Sequence, residues 1–210
     1  MAELERIPKN FQPSTRLIVL DELPERTEAE RRELCLKALG VTDLNNTFEK
    51  MRQPKGFERT YKAFRLMAAG KATWHMLLVY GKTGTGKSMC CEAAVIELFD
   101  KGVRVKRWRW SDVVRHLKSL MGTPEYESFF NELRAKPRLI IDDVGSGSTL
   151  GTWEWGELED IVDYRLENNL MTIITTNLDR QAIPDRIISR FKDKKKSRMI
   201  FNEAEDQRPL

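Results

Sequence analysis

Residues 81–88, Gly-Lys-Thr-Gly-Thr-Gly-Lys-Ser, constrain the fold of this chain more than any other segment. They match the pattern G-x-x-x-x-G-K-[ST], with a short apolar run before them at residues 76–80 and an amphipathic pattern after them over residues 87–100. The glycines allow the backbone to curl so that successive N–H groups point into one concavity, and the following helix adds its positive N-terminal end. The segment therefore predicts a strand, a phosphate-binding loop and a helix.

The eight residues of this phosphate loop are the candidate ligands of a nucleotide: Gly81, Lys82, Thr83, Gly84, Thr85, Gly86, Lys87 and Ser88. We expect Lys87 to reach the β- and γ-phosphates, and we expect the Ser88 hydroxyl to ligate Mg²⁺. A Gly-rich turn that only joins a strand to a helix is the alternative, but the whole pattern matches in the expected context. The sequence therefore predicts a nucleoside triphosphate and Mg²⁺ as ligands.

Two carboxylates, those of Asp142 and Asp143, follow the apolar residues 139–141 at the end of a strand that we expect to be buried. Ligands bind at the carboxyl edge of a parallel sheet, and these residues lie about 50 positions after the phosphate loop. We expect Asp142 to hold the Mg²⁺ on Ser88, through water, and Asp143 to orient or polarise the attacking water. An aspartate that begins a turn is the alternative at both positions.

Strand and helix patterns alternate along the rest of the chain. Strands are predicted at residues 76–80, 103–110, 138–143, 171–176 and 199–201, and helices at residues 87–100, 111–121, 126–135, 153–168 and 183–191. Ahead of them lie a short strand at residues 16–20 and helices over residues 28–39 and 57–69, the first with Thr27 and Glu30 at capping-box spacing. Strands separated by helices predict a parallel sheet with helices on both faces.

Composition excludes several other classes of protein. With 210 residues, of which 40% are apolar, the chain can form one domain with a real core and is not a disordered sequence. Its longest apolar runs are about five residues, too short to span a bilayer, and residues 1–6 are acidic where a signal peptide would be basic. Cysteines at 35, 90 and 91 fit neither a disulfide framework nor a zinc site, so a reducing, cytoplasmic location is expected.

Two segments rich in Lys and Arg are candidate nucleic-acid contacts, and the net charge of +4 allows such binding without requiring it. Residues 104–110 interleave basic residues with Trp108 and Trp110, but Val105 and Arg107 share the opposite face of an alternating strand. Tryptophans packed in a core beside solvated arginines are the alternative. The second segment comprises Lys192, Lys194, Lys195, Lys196 and Arg198, and its alternative is a solvated loop.

The order of these segments resembles that of AAA+ ATPases: the phosphate loop, Asp142-Asp143, residues 172–177 and residues 185–191. In more detail, residues 141–145 (Ile-Asp-Asp-Val-Gly) and residues 163–165 (Asp-Tyr-Arg) leading into residues 175–177 (Thr-Thr-Asn) are similar to the replicative helicase loaders of the DnaC/DnaI group. The IstB-type transposition helper ATPases are near relatives of that group. Residues 47–49, Thr-Phe-Glu, are similar to the entry segment of the loaders, and the resemblance covers roughly residues 45 to 208.

The resemblance implies an α/β fold, the three-layer sandwich of a P-loop NTPase with a central parallel sheet. It divides the chain into an N-terminal extension, residues 1–45, with a helix that could bind a partner, and an AAA+ ATPase domain, residues 46–210. Since only 20 residues follow Arg190, the C-terminal helical lid of most AAA+ proteins is expected to be reduced or absent.

The resemblance also assigns roles to single residues. Asn177 matches sensor 1, which touches the γ-phosphate or the attacking water, with a turn asparagine as the alternative. Arg190 matches the arginine finger that enters the ATP site of a neighbouring subunit; Arg186 is the alternative finger, and a solvated arginine the other interpretation. Arg208 matches a sensor 2-like arginine that acts within its own subunit. Asp143 stands where many AAA+ enzymes have Glu, so hydrolysis is expected to be slow.

The implied function is that of a cytoplasmic ATPase that loads a helicase in DNA replication. Such a protein oligomerises when it binds ATP, and it contacts a hexameric replicative helicase or single-stranded DNA. An IstB-like transposition helper would instead favour duplex DNA and a transposase. A third alternative is a nucleotide-gated adaptor that binds ATP and scarcely hydrolyses it.

Overall fold

The computed structural model describes residues 26–145 and 150–208, in which strands and helices alternate. The strands are β1 (Met76–Tyr80), β2 (Lys106–Arg109), β3 (Arg138–Val144), β4 (Met171–Thr176) and β5 (Ser197–Phe201). The helices are α1 (Glu28–Ala38), α2 (Glu58–Ala68), α3 (Lys87–Asp100), α4 (Trp110–Ser119), α5 (Pro124–Ala135), α6 (Thr152–Glu167) and α7 (Asp185–Arg190). A single 3₁₀ turn, Arg180–Ala182, precedes α7.

The five strands form one parallel sheet in the order β2-β3-β4-β1-β5. The central strand β4 lies between β1 and β3, and the last residues of β1 and β4, Tyr80 and Thr176, are directly paired. Because all strands run in one direction, the segments that follow β1, β3 and β4 meet at one edge of the sheet. The predicted parallel sheet is confirmed, and it gathers the predicted site residues of these three strands.

Two hydrophobic cores, one on each face of the sheet, make the fold a three-layer sandwich. Leu77 and Val79 of β1 pack against Phe64 and the other buried residues of α1, α2 and α3. Leu78 points to the opposite face, where it joins Trp110 and the buried residues of α4 to α7. The alternation along β1 follows from the two-residue period of a strand whose two faces are both covered.

The N-terminal part of the described chain packs onto the same domain. The predicted capping box at α1 is confirmed: Glu30 N–H donates to Thr27 Oγ1 at 3.3 Å, and Thr27 N–H donates to the Glu30 carboxylate at 2.8 Å. Leu36 and Val41 lie in the core that contains Phe64. The boundary between residues 45 and 46 stays a prediction, and the strand predicted at residues 16–20 lies outside the described residues.

The prediction was wrong at β2, which is shorter than the expected strand over residues 103–110. Trp110 is buried and is the first residue of α4, one residue before the predicted start of that helix. The helix expected over residues 183–191 begins only at Asp185, because a proline at 184 keeps Ile183 extended. The other boundaries agree with the prediction within two residues. Within the described ranges, the helices lack the length and apolarity needed to cross a membrane.

Candidate nucleotide site

The phosphate loop connects β1 to α3, and its glycines adopt backbone conformations that other residues avoid. Gly84 and Gly86 have φ angles of 73° and 86°, in the left-handed region. Gly86 is the N-cap of α3, and a Cβ atom there would lie 3.2 Å from the Phe57 ring. The loop therefore curls around the N-terminus of α3, the arrangement that presents backbone N–H groups to an anion.

Lys87, the first residue of α3, points its side chain into the phosphate loop and is only 5% exposed. Its Nζ donates to the carbonyl oxygens of Gly81 at 2.7 Å and Lys82 at 2.6 Å. Burial lowers the pKa of Lys87 to about 8, although Asp143 and Asp142 act in the opposite direction. The ammonium thus lies inside the loop, where it could exchange carbonyl partners for phosphate oxygens.

Ser88 and Asp142 are brought together across the gap between α3 and β3. Ser88 Oγ donates to Asp142 Oδ1 at 3.2 Å, and the same oxygen accepts a hydrogen bond from Thr175 Oγ1 of β4. Asp142 is fully buried, whereas Ser88 is exposed at the start of α3. A hydroxyl and a carboxylate oxygen are hard donors, so this pair fits a cation such as Mg²⁺.

Asp143 and Asn177 also meet, because β3 carries a bulge. The pairing of β3 with β4 shifts register between Ile141 and Val144, and Asp143 has a φ of 63°. Its N–H donates to Thr175 Oγ1 at 3.0 Å, and its Oδ1 accepts a hydrogen bond from Asn177 Nδ2. The bulge turns the second carboxylate away from the strand and toward the residue that follows β4.

The two candidate finger arginines lie on α7, and both find acidic partners on α6 of the same chain. Arg190 forms an ion pair with Asp163, with 2.7 Å between its Nη2 and Oδ2. Arg186 lies 3.6 Å from the Glu159 carboxylate, and its side chain is 80% exposed. The structure therefore groups them apart from Ser88, Asp142 and Asn177.

The segment after β5 covers the phosphate loop, a contact that the sequence reasoning missed except for Arg208. Asn202 is buried and its Nδ2 donates to the Thr85 carbonyl at 2.9 Å. The Asp206 carboxylate touches Gly84 so closely that a Cβ atom there would be 1.8 Å from Oδ1. Arg208 pairs with Asp206, with 3.0 Å between Nε and Oδ1. Arg208 is thus placed beside the loop, in the same chain.

A cavity of about 280 Å³, lined by apolar side chains and by Lys50 and Arg52, adjoins the phosphate loop and was not predicted. Its lining includes Met51, Pro54, Phe57 and Met89, beside Gly86. Three of these residues precede or begin the helix that we predicted over residues 57–69. No residue spacing in the sequence indicates this cavity, because the cavity forms between segments that are far apart in the chain. Its size and apolar side chains suit a planar base.

Arg107 and Glu92 are the charged residues whose position the sequence reasoning missed. Arg107 is 4% exposed, and its guanidinium lies 2.6 Å from Asp142 Oδ2 and 3.2 Å from Glu92 Oε1. Burial alone would lower the pKa of Arg107, but the Asp142 carboxylate raises it above the usual range. The alternative interpretation of residues 104–110, core tryptophans beside solvated arginines, is wrong for Arg107, although Trp110 does lie in the core. The available signal was the strand face that Arg107 shares with Val105.

The comparisons with known proteins agree with this geometry. Over 116 residues, 55% of this chain, the sequence is 28% identical to the replicative helicase loader DnaI of Bacillus subtilis (strain 168), and the match spans 36% of that protein. No protein-family model matches the chain.

Solved structures of replication proteins have a similar fold. The DnaC helicase loader superposes with a TM-score of 0.64 and 22% identity, covering 76% of this chain and 98% of the other. The replication initiator DnaA bound to AMPPCP and single-stranded DNA gives a TM-score of 0.65 with 20% identity, covering 78% of this chain and 51% of the other. The fold is that of an AAA+ P-loop NTPase domain, and the predicted resemblance to the DnaC/DnaI helicase loaders is confirmed.

Proposed function

We propose that this chain is an ATP-dependent AAA+ protein that acts in the initiation of DNA replication as a helicase loader. It binds ATP with Mg²⁺, forms oligomers in the ATP-bound state and contacts a hexameric replicative helicase or single-stranded DNA in the cytoplasm. Hydrolysis to ADP and phosphate, slow in the isolated chain, resets the cycle. The likeness to DnaI and DnaC supports the loader role, and the DnaA complex with AMPPCP supports nucleotide binding.

One observation carries the ATPase part of this proposal: three parallel strands deliver complementary groups to one edge of the sheet. The phosphate loop follows β1, the Asp142-Asp143 pair ends β3, and Asn177 follows β4. Phosphoryl transfer requires positioning and charge stabilisation more than covalent chemistry from the protein. Backbone N–H groups, an ammonium, paired carboxylates and an amide at one place supply these functions.

Each group has a distinct task in the proposed reaction. The N-terminus of α3 and Lys87 bind the phosphates, and the base occupies the cavity beside Phe57. Ser88 and Asp142 would hold Mg²⁺, which neutralises charge that develops on the phosphate oxygens. Asp143 and Asn177, which already share a hydrogen bond, orient the attacking water.

The remaining charge stabilisation is proposed to come from other arginines. Arg190 enters the site of a neighbouring subunit as its finger, with Arg186 as the alternative. Arg208 acts on its own subunit's phosphates from the segment that covers Gly84.

The first test measures ATP affinity of the wild type and of Lys87→Ala, together with circular dichroism. The lysine points into the loop and not into either core, so the variant should remain folded and lose most of its affinity for ATP. Lys62→Ala is the control, because this lysine is exposed on α2 and lies outside the phosphate loop. If Lys87→Ala is folded and binds ATP as the wild type does, the nucleotide site is wrongly assigned.

The second test addresses the partner. A purified hexameric replicative helicase from the same source should co-elute with the wild type in the presence of ATP and not with Lys87→Ala. A transposition helper would instead bind duplex DNA and a transposase, and a nucleotide-gated adaptor would bind ATP but scarcely hydrolyse it, with or without DNA. ATP binding without helicase binding would refute the loader role while leaving the nucleotide site intact.

A further inference from the structure

A chain of buried charges links the metal end of the nucleotide site to the loop that follows α1. Its centre is Arg107 of β2, which lies between the carboxylates of Asp142 and Glu92. The side chains of all three residues are at most 3% exposed. Charges buried this deeply are costly unless each is paired and hydrogen-bonded, so the contacts of each one matter.

The contact of Arg107 with Asp142 is asymmetric. Both Nε and Nη2 of the guanidinium donate to the same oxygen, Oδ2, at 3.1 and 2.6 Å. The other oxygen, Oδ1, faces Ser88 Oγ at 3.2 Å; it also accepts the hydrogen bond from Thr175 Oγ1, and Cys91 Sγ lies 3.5 Å from it. Two donors of a rigid, planar guanidinium that converge on Oδ2 hold this oxygen on the Arg107 side, which a flexible ammonium does less well. Arg107, together with Thr175, therefore sets which oxygen of Asp142 points to the Ser88 hydroxyl.

Glu92 of α3 holds the other side of Arg107, with 3.2 Å between its Oε1 and Nη1. The Glu92 carboxylate also accepts hydrogen bonds from Thr42 Oγ1 at 2.6 Å, from Asp43 N–H at 3.1 Å and from Asn46 Nδ2 at 2.9 Å. These donors fix Glu92 to the loop after α1. The buried cluster of Asp142, Arg107 and Glu92 contains two carboxylates and one guanidinium. Of its carboxylate oxygens, Asp142 Oδ1 is the one that faces Ser88.

We infer that Arg107 is a positioning residue that aims the Asp142 carboxylate at the cation held by Ser88, and that Glu92 holds Arg107 in place for this task. The inference rests on the proposed function, in which Asp142 acts through Mg²⁺. Residues behind a metal ligand commonly change metal affinity about 10–100-fold when they are mutated, because they set the ligand's orientation.

The test separates metal binding from nucleotide binding. The affinity for AMPPCP is measured by calorimetry in excess EDTA and in a series of Mg²⁺ concentrations. Arg107→Lys keeps the charge, but its single ammonium cannot contact both the Asp142 and the Glu92 carboxylates with the geometry of a guanidinium. The variant should therefore need about 10–100-fold more Mg²⁺ for the same gain in AMPPCP affinity. Its affinity for AMPPCP in EDTA should equal that of the wild type. At high Mg²⁺ concentrations its affinity for AMPPCP should again reach the wild-type value.

Two further variants control for folding. Glu92→Gln keeps the size of the side chain, and its amide oxygen can still accept from Asp43 N–H and Asn46 Nδ2, while the NH₂ group can donate to the Thr42 hydroxyl. The variant should therefore fold, but its NH₂ group no longer accepts from Arg107, so the Mg²⁺ dependence should shift in the same direction. Arg165→Lys is the matched control, because Arg165 is 0% exposed but donates to Thr172 and to backbone carbonyls such as that of Lys136. It should lower the melting temperature without moving the Mg²⁺ dependence.

The outcomes are distinct. If Glu92→Gln, and Arg107→Lys where it folds, show the wild-type Mg²⁺ dependence, Arg107 has only a structural role and the inference is overturned. An equal loss of affinity in EDTA and in Mg²⁺ overturns it as well. If the wild type binds AMPPCP no better than Lys87→Ala does, the proposed function itself fails, and this result is recognised before any Arg107 variant is examined.

Discussion

At the scale of single residues, Lys87 shows how the phosphate loop stabilises a buried charge before any ligand binds. Its ammonium donates to two carbonyl oxygens of the loop and lies within 3.3 Å of Thr85 Oγ1. Neutral carbonyls compensate a buried charge only partly, and burial accordingly lowers the pKa of Lys87 to about 8. ATP phosphates would provide the missing negative charge and raise this pKa.

The difference between the pKa of Lys87 without ATP and its higher pKa beside the phosphates predicts how ATP affinity depends on pH. Above pH 8 the ligand-free protein gives up the Lys87 proton, while the phosphates favour the charged form, so binding must take a proton up. Affinity should be nearly constant at about one pH unit or more below this pKa, bend near pH 8 and then fall by up to about tenfold per pH unit. Fluorescence titrations between about pH 6.5 and pH 9.5 measure this slope, and calorimetry in two buffers with different ionisation enthalpies measures the proton uptake.

Lys87→Arg is the control for that measurement, because a guanidinium stays protonated throughout this range. Where the variant still binds ATP, its affinity should not change between pH 8 and pH 9.5. A wild-type profile as flat as that of Lys87→Arg would mean that Lys87 keeps its proton, and that the loop carbonyls stabilise the ammonium fully.

At the scale of elements, the segment after β5 brings opposite charges to the phosphate loop. The Asp206 carboxylate lies against Gly84, and its pair with Arg208 lowers the pKa of Asp206 to about 2. The carboxylate is therefore ionised at neutral pH, close to where the phosphates of ATP are expected.

Opposite effects on ATP affinity follow from these two charges. Asp206→Asn removes a repulsion and should tighten binding several-fold, whereas Arg208→Ala exposes the carboxylate and should weaken it. Isothermal titration at two salt concentrations measures both changes, which should shrink at high salt. Glu203→Gln is a control, since this exposed acid belongs to the same segment but packs against Gly56. Equal affinities for all three variants would place the phosphates away from this segment.

The loop between α7 and β5 carries the four lysines of the second basic segment, of which Lys192, Lys194 and Lys195 are exposed. If these side chains contact single-stranded DNA, affinity for an oligo-dT strand should fall steeply with salt. Changing the lysines at 192, 194, 195 and 196 to Gln should reduce the log–log slope by about 0.7 for each lost phosphate contact.

A variant with the same change in net charge controls for long-range attraction. Lys37, Lys55, Lys62 and Lys71 are exposed on the part of the chain that contains α1 and α2, and their replacement by Gln should leave the slope nearly unchanged. If both quadruple variants keep the wild-type slope, the lysines of the α7–β5 loop are in contact with solvent only.

Elements with a strong local signal were predictable, and those that depend on distant partners were not. The strand, phosphate loop and helix over residues 76–100 follow from apolar periodicity and a glycine pattern, and their bounds were predicted correctly. The end of β2 was not predicted correctly, because Trp110 begins α4 and packs in the core on that face of the sheet. Arg107 was missed for a related reason: its partners, Glu92 and Asp142, come from a helix and a strand that only the folded chain brings together.

At the scale of the whole molecule, the two candidate finger arginines lie on α7, outside the phosphate loop that is proposed to bind ATP. Arg190 and Arg186 project from α7 and pair with Asp163 and Glu159 on α6. Those four side chains, with Trp153, line an open groove of about 610 Å³. If one of these arginines is the proposed finger, it acts at the phosphate loop of another subunit, and ATP turnover should then depend on assembly.

Mixing two inactive variants tests this dependence. Arg190→Ala keeps its phosphate loop and should bind ATP almost normally, but it should lose most hydrolysis, because fingers in related NTPases contribute about 10³–10⁵ in rate. Lys87→Ala lacks a working loop and keeps its finger. In mixed oligomers an intact loop can face an intact finger, so part of the ATPase activity should return, rising with the total protein concentration. The same mixture with Arg186→Ala in place of Arg190→Ala is the control. If only the Arg186→Ala mixture regains activity, Arg186 is the finger; if neither mixture does while both variants still assemble, no arginine of α7 acts across a subunit boundary.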